Sequence, residues 1–375
     1  MTICHLLLKR QGYRLIGVFM KNWDLTDETG VCSVDKDRED AQHVCRQLSI
    51  PFHEVNFVKE YWNEVFCKMI QGYENGTTPN PDVLCNRHVK FDAYHKYAMQ
   101  HLGVDAIATG HYARTSAGYQ LGDIEKQTGV SLLQAVDQLK DQTLFLCQVK
   151  QEALRQTLFP VGGLKKTEVK KLAAEAGFTW LANKRESMGV CFIGKRNFHS
   201  FIEEYIDKKP GNFVDVESGK VMGSHSGTHY WTRGQRAHIG GLNIAYFVAG
   251  VDPVSRDVIV APGTDHPALF STSLTAAKPH WINKVPTELY ASGSFRCKFR
   301  YQHIHPLVDC TVTFDPSSDF LIIDHEIPLR AVAKGQYAVL YQKEECLGGA
   351  QIVSVGPSLY EQHVRERVVF SKEFR

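Results

Sequence analysis

Over the first 115 residues, short apolar runs alternate with stretches whose apolar positions return at helical spacing. Residues 14–21 (RLIGVFMK) form one such run and predict a strand; residues 35–49 then predict a helix with an acidic start. Residues 51–58 predict a second strand, residues 60–73 an aromatic-bearing helix, and residues 105–109 (DAIAT) a further buried strand. Strand and helix in alternation predict an α/β domain, a parallel sheet with helices on both faces. Ligands of such sheets bind beyond the carboxyl ends of strands, so residues 19–24 (FMKNWD) and 110–112 (GHY) are the expected pocket loops.

Between the second and third predicted strands lies TPNPDVLCN, residues 78–86. Asn80 suits a helix N-cap, Pro81 suits the first helical position, and Leu84, Phe91, Tyr94, Ala98 and Leu102 follow at helical spacing. Cys85 is therefore expected near a helix N-terminus. The helix dipole and nearby Arg87, His88 and Lys90 favour its thiolate, whereas Asp82 opposes it and supplies an acid or base within reach. For an isolated cysteine the commoner role is that of a small buried hydrophobe.

From Val130 the pattern is mixed: a helical segment over 144–159, a break at 160–163, and a basic helix over 165–176. In residues 186–196 (ESMGVCFIGKR) Cys191 stands between glycines ahead of Lys195 and Arg196, surroundings that also favour thiolate. Residues 197–207 predict a short helix. His225 and His229 are four apart, but Gly227 between them argues against a zinc-binding helix face, and they read as surface polar residues. From about residue 266 the alternation has period two, as in a small β-barrel. There Arg296, Lys298, Arg300 and Tyr301 interleave cations with an aromatic, a composition equally suited to RNA contact and to a solvated strand face.

A length of 375 residues favours two or three domains, and 43% hydrophobic with 22% charged residues is ordinary for a globular chain. A net charge of +2 excludes a uniformly basic coat, so any nucleic-acid contact must come from local clusters. No run is long enough for a membrane span. Ten cysteines without a C-x-x-C pair, diluted in a long chain, argue against a zinc knuckle and a disulfide scaffold, and for a reducing compartment. The amino terminus carries no secretory or transit-peptide pattern. It opens on a partial helix over 3–11, with no strand and no glycine-rich phosphate loop ahead of it, although an α/β nucleotide-binding domain begins strand, loop, helix. The expectation is a domain shortened at its amino terminus.

Taken together, TPNPDVLCN, FMKNWD, ATGHYAR, KDQT, ESMGVCFIGKR, TRGQR with HIGG (232–241) and GQYAVLY (335–341) resemble the tRNA-specific 2-thiouridylases, the animal mitochondrial branch in particular. The resemblance runs over nearly the whole chain. It implies an ATP-pyrophosphatase-type (PP-loop, Rossmann-like) domain over 1–196, a small central tRNA-binding domain over 197–264 and a β-barrel over 265–375. The implied reaction uses ATP, with Mg²⁺, to adenylate the carbon-2 oxygen of the wobble uridine of tRNA. That oxygen is then replaced by persulfide sulfur brought by a donor protein or a cysteine desulfurase relay.

Residue by residue, Cys85 matches the family's nucleophile and Cys191 its persulfide carrier, the two able to close a disulfide as sulfur is handed over. Asn80, Pro81 and Asp82 match residues holding the flipped target base. Met20 and Gly110 match the adenosine pocket; His111, Lys140, Asp141, Gln142, Arg300, Tyr301 and Gln336 match tRNA contacts. The resemblance further implies a monomer and a mitochondrial location. The family's glycine-serine-aspartate loop, whose backbone donors hold the pyrophosphate, has no counterpart in this sequence. Two functions are thereby set against each other: a tRNA-uridine 2-sulfurtransferase, and a catalytically silent tRNA-binding form. An ATP-dependent amidase or ligase is a weaker third, since it would need neither Cys191 nor a barrel.

Overall fold

The computed structural model describes residues 2–23, 33–119, 129–182, 197–303 and 305–371. The chain forms two compact units: Met1–Cys67, Pro81–Lys195 and Lys343–Leu347 in one, Lys68–Asn80, Arg196–Gln342 and Gly348–Arg375 in the other.

In the first unit the strands Gly17–Lys21 and Phe52–Asn56 pair in parallel. A second parallel pair joins Ile107–Ala108 to Thr157–Leu158. Thr157–Leu158 falls in a stretch that read as helical; the helix Gln151–Arg155 ends just before it. One continuous parallel sheet is therefore not what the described residues form: they form two separate parallel pairs. Helices Thr2–Arg10 and Lys166–Glu175 contribute to a core of Ile3, Leu6, Val44, Tyr112, Val161 and Phe178. The expected helix over 35–49 spans Ser33–Gln47. The helix after Asn80 starts at Pro81 as its sequence predicts, but the π-type stretch Cys85–Ala93 is broken by a kink at Phe91 (φ −106°, ψ 15°) before α-helix resumes over Tyr94–His101.

In the second unit, a five-stranded sheet runs in the order Val221–His225, Gly211–Asp215, Asp257–Pro262, Tyr246–Asp252, Arg236–Ala237. Its apolar face buries Phe213, Val248, Val258 and Val260. His225 and His229, read as surface residues, are in fact buried at 8% and 5% exposure. The His225 ring packs edge-on against Phe213, and burial lowers both histidines' pKa. A histidine's exposure is set by what folds over it, which its neighbours in sequence do not record.

The carboxyl-terminal strands Phe270–Ala276, Phe320–Arg330, Val308–Asp315, Ser294–Arg300 and Tyr337–Gln342 follow in that order, and residues 348–355 close a six-stranded barrel by pairing with Phe270–Ala276. Among the described residues no helix is long and apolar enough to cross a membrane.

Candidate functional site

Among the described residues, the two parallel pairs of the first unit leave open edges. Gly17 N–H bonds to Pro51 O and Phe57 N–H to Lys21 O, so the alternate residues Val18 and Met20 turn their peptide groups away from Phe52–Asn56. Likewise Ile107 and Thr109 donate to Gln156 and Leu158, and Ala108 and Gly110 face the other way. Val18, Met20, Ala108 and Gly110 all line one cavity of about 660 Å³. Peptide donors and acceptors at its wall can read the edge of a planar heterocycle, and Lys90, also in the lining, supplies a cation. Asp37, Asp40, Ala41 and Val44 project into it from one helix. Their spacing of three and four residues was present in the sequence as a helix face, yet nothing local says that this face meets a cavity.

His111 lies on the same wall. Thr109 Oγ1 is 2.8 Å from its Nδ1, and Phe91 and Phe159 flank the ring. Burial, reinforced by the Lys90 charge, holds its pKa well below the ordinary histidine value, so the imidazole is neutral at pH 7. A histidine that stays neutral when folded but protonates when unfolded costs stability as pH falls through the unfolded value of about 6.5. His111→Gln is therefore expected to flatten the loss of stability between about pH 6.5 and pH 5. Urea midpoints measured across that range check it; an unchanged slope would mean that His111 titrates normally.

Gln142 reaches the cavity from a third part of the chain. Its side-chain oxygen accepts from Tyr112 N–H at 2.9 Å while its own N–H donates to Tyr112 O at 2.8 Å, a two-bond clamp on the 110–112 loop. Asp141, matched to a tRNA contact, is fully buried: it accepts from Ala135 N–H at 3.0 Å and from the Thr143 hydroxyl at 2.7 Å. Its carboxylate braces the loop that carries Gln142. Lys140 beside it is half-buried.

The stretch TPNPDVLCN divides between the two units after Asn80. In the first unit, Asp82 is exposed while Cys85, one turn on, is 5% exposed. Cys85 opens the π-type turn that precedes the kink at Phe91. Two of the three groups expected to favour its thiolate have other partners: Arg87 donates to Gln148, and His88 lies 3.6 Å from Glu64. Asn86 donates to Phe145 O at 2.9 Å, tying this helix to the segment that follows Asp141 and Gln142.

In the second unit, Asn80 Nδ2 donates to Gln336 Oε1 at 3.2 Å, and Gln336 Nε2 donates to Thr78 O at 2.9 Å. Thr78 N–H donates in turn to Lys334 O at 2.8 Å. Gly335 makes this approach possible: its φ is +92°, and a Cβ there would lie 2.9 Å from Thr78 O. Asn80 and Gln336, matched to separate contacts with base and tRNA, are thus hydrogen-bonded to each other.

Arg300 and Tyr301 are not the solvated strand face that is one of their two readings. They are 4% and 2% exposed. The Arg300 guanidinium lies 5.3 Å from the Tyr341 ring centroid and bonds to its hydroxyl, and Tyr301 donates to Arg330 O at 2.7 Å. Alternation along the strand breaks at its end, which turns this cation inward with its aromatic neighbour. Cys191 and Asp24 lie outside the described residues.

Against known families, residues 2–195 match the tRNA methyl transferase HUP domain, residues 199–262 the tRNA methyl transferase PRC-barrel domain, and residues 271–352 the aminomethyltransferase beta-barrel domain. The chain is 49% identical to mitochondrial tRNA-specific 2-thiouridylase 1 of Drosophila melanogaster, over 94% of this chain and 90% of that protein. It is 48% identical to the protein of the same name from Homo sapiens, over 96% and 89%. It is 42% identical to the probable mitochondrial tRNA-specific 2-thiouridylase 1 of Caenorhabditis elegans, over 94% and 95%.

Proposed function

The chain belongs to the tRNA-specific 2-thiouridylases, a family of tRNA-modifying sulfurtransferases, and on that premise we propose that it converts the wobble uridine of mitochondrial tRNAs to 2-thiouridine with ATP and a cysteine persulfide relay. The observation that carries this reading is the 660 Å³ cavity, where Met20, Gly110, His111 and Gln142 converge from three separate stretches of the chain. The lining fits adenosine: Met20 and Gly110 lie on the open strand edges, which offer peptide donors and acceptors to the base. Lys90 would attract the phosphates, and Mg²⁺ would accompany them. When bound, ATP supplies the adenylyl group that turns the uridine carbon-2 oxygen into a leaving group.

The chain's own residues do the rest. Asp82, exposed at the start of its helix, takes or gives the uracil ring proton as the carbonyl is activated. Cys191 carries the terminal sulfur of the persulfide to carbon 2. Cys85 then attacks the Cys191 sulfur, leaving the terminal sulfur on the base and a Cys85–Cys191 disulfide, which external thiols reduce for the next cycle. Asn80, clasped by Gln336, presents the segment that holds the flipped base. Neutral His111 offers a hydrogen bond to tRNA without adding charge beside Lys90. The sulfur comes from a donor protein or from a cysteine desulfurase relay.

A silent tRNA-binding role is the second reading, and one feature favours it: the sequence shows no counterpart of the family's glycine-serine-aspartate phosphate loop. The two part in a single assay. With ATP, tRNA and a persulfide donor, a sulfurtransferase releases pyrophosphate and yields 2-thiouridine detectable by mass spectrometry of the digested tRNA. Tight tRNA binding with neither product would establish the silent form.

A further inference from the structure

The carboxyl-terminal barrel holds a pair of cysteines that the sulfur relay does not use. Cys297, in Ser294–Arg300, stands directly opposite Cys310, in Val308–Asp315, in antiparallel register. Strand alternation turns both inward, in line with Phe295 and Phe299 on one strand and Val308 and Val312 on the other, and all six are buried. The two sulfurs are 3.6 Å apart, one thiol donating to the other. We propose that Cys297 and Cys310 form a reversible dithiol–disulfide site, oxidised by low-molecular-weight disulfides of the glutathione type and independent of Cys85 and Cys191.

The backbone geometry already suits the bond. Opposed residues of an antiparallel pair have Cα atoms about 4.5 or 5.5 Å apart, and a disulfide accepts roughly 4.4–6.8 Å, so neither strand needs to slide. Side-chain torsion can bring the sulfurs from 3.6 Å to the bonding distance of about 2.05 Å. Cys297 is the point of attack, at 8% exposure against 1% for Cys310.

Its thiolate attacks one sulfur of the small disulfide, forming a mixed disulfide and releasing one small thiolate. The Cys310 thiolate then attacks the Cys297 sulfur, forming the protein disulfide and releasing the second. Two electrons pass from the cysteine pair to the small disulfide, and the two cysteine protons go to the two released thiolates. The hydrogen bond to Cys310, with burial, holds Cys297 in its thiol form, so this exchange is slow in the folded chain. The bridge would close residues 298–309, which include Arg300 and Tyr301, into a covalent loop. Closing a loop of that length raises the thermal midpoint by on the order of 5 °C.

The test brings the full-length chain to equilibrium in glutathione buffers of increasing oxidised fraction. It starts both from the folded reduced protein and from the reduced chain refolding out of denaturant, so that burial cannot hide the thiols. After alkylation and digestion, a 297–310 cross-linked peptide should appear to the same extent from both directions and vanish on added reductant. It should persist in a Cys85→Ser, Cys191→Ser double variant and be lost in Cys297→Ala and in Cys310→Ala, where alanine avoids burying an unpaired hydroxyl. Alkylation of both cysteines at every buffer ratio would overturn the site. So would Cys297 bonded to a different cysteine, a cross-link lost in the double variant, or an oxidised chain that melts below the reduced one.

Discussion

Cys85→Ser and Cys191→Ser are each expected to abolish 2-thiouridine formation, with a fall on the order of 10³-fold or more and tRNA affinity changed by less than about twofold. The asymmetry follows from chemistry. A hydroxyl near pH 7 is neither a persulfide carrier nor able to attack a sulfur–sulfur bond, whereas the exchange of one sulfur for oxygen barely alters the volume a bound tRNA meets. Cys85 is buried, so the serine there must also find a hydrogen-bond partner. Cys85→Ala provides a control for that cost. Mass analysis of digested tRNA after a single turnover decides the matter: thiolated product from either serine variant at a rate near that of the parent removes that cysteine from the relay.

Asp141→Ala is expected to cost about 2–6 kcal/mol of folding stability, because it removes the acceptor of two buried donors, the Ala135 N–H and the Thr143 hydroxyl, at roughly 1–3 kcal/mol each. Asp141→Asn keeps the shape and one acceptor and should lose less. The damage should reach the cavity proposed to hold the nucleotide, since Asp141 braces Gln142, and Gln142 clamps the loop bearing His111. The expected pattern is a lower denaturant midpoint together with weaker nucleotide binding, compared well below the midpoint where both proteins are folded. A residue acting only as an exposed tRNA contact would instead leave the midpoint unchanged and weaken tRNA binding alone.

Some of the candidate site's backbone features were legible in the sequence, and the reason differs from residue to residue. Pro81 as a first helical residue and Gly110 at the end of a buried strand are local matters of backbone preference, so residue type alone carries them. Gly335 carries no such signal. Its left-handed φ is needed because Thr78, far away in sequence, comes against it. Lys90, Asp37 and Asp40 were visible as charges on helices, but their place in a shared cavity depends on how two helices pack against two strand pairs. Arg300 and Tyr301 were read for their chemistry, and that chemistry is turned inward onto Tyr341 and Arg330.

What the amino-acid order alone determined is the change along the chain from helix-and-strand alternation to period-two β structure, because period 3.6 and period 2 are properties of neighbouring residues. It also determined family membership, through motifs whose order spans nearly the whole chain. Only the tertiary structure decided that the parallel strands stand as two pairs with open edges facing one cavity, and that Asp141, Arg300 and His225 are interior. It alone set Cys297 against Cys310. Burial and register are relations between segments distant in sequence, fixed by which surfaces exclude water together, and no local pattern encodes them.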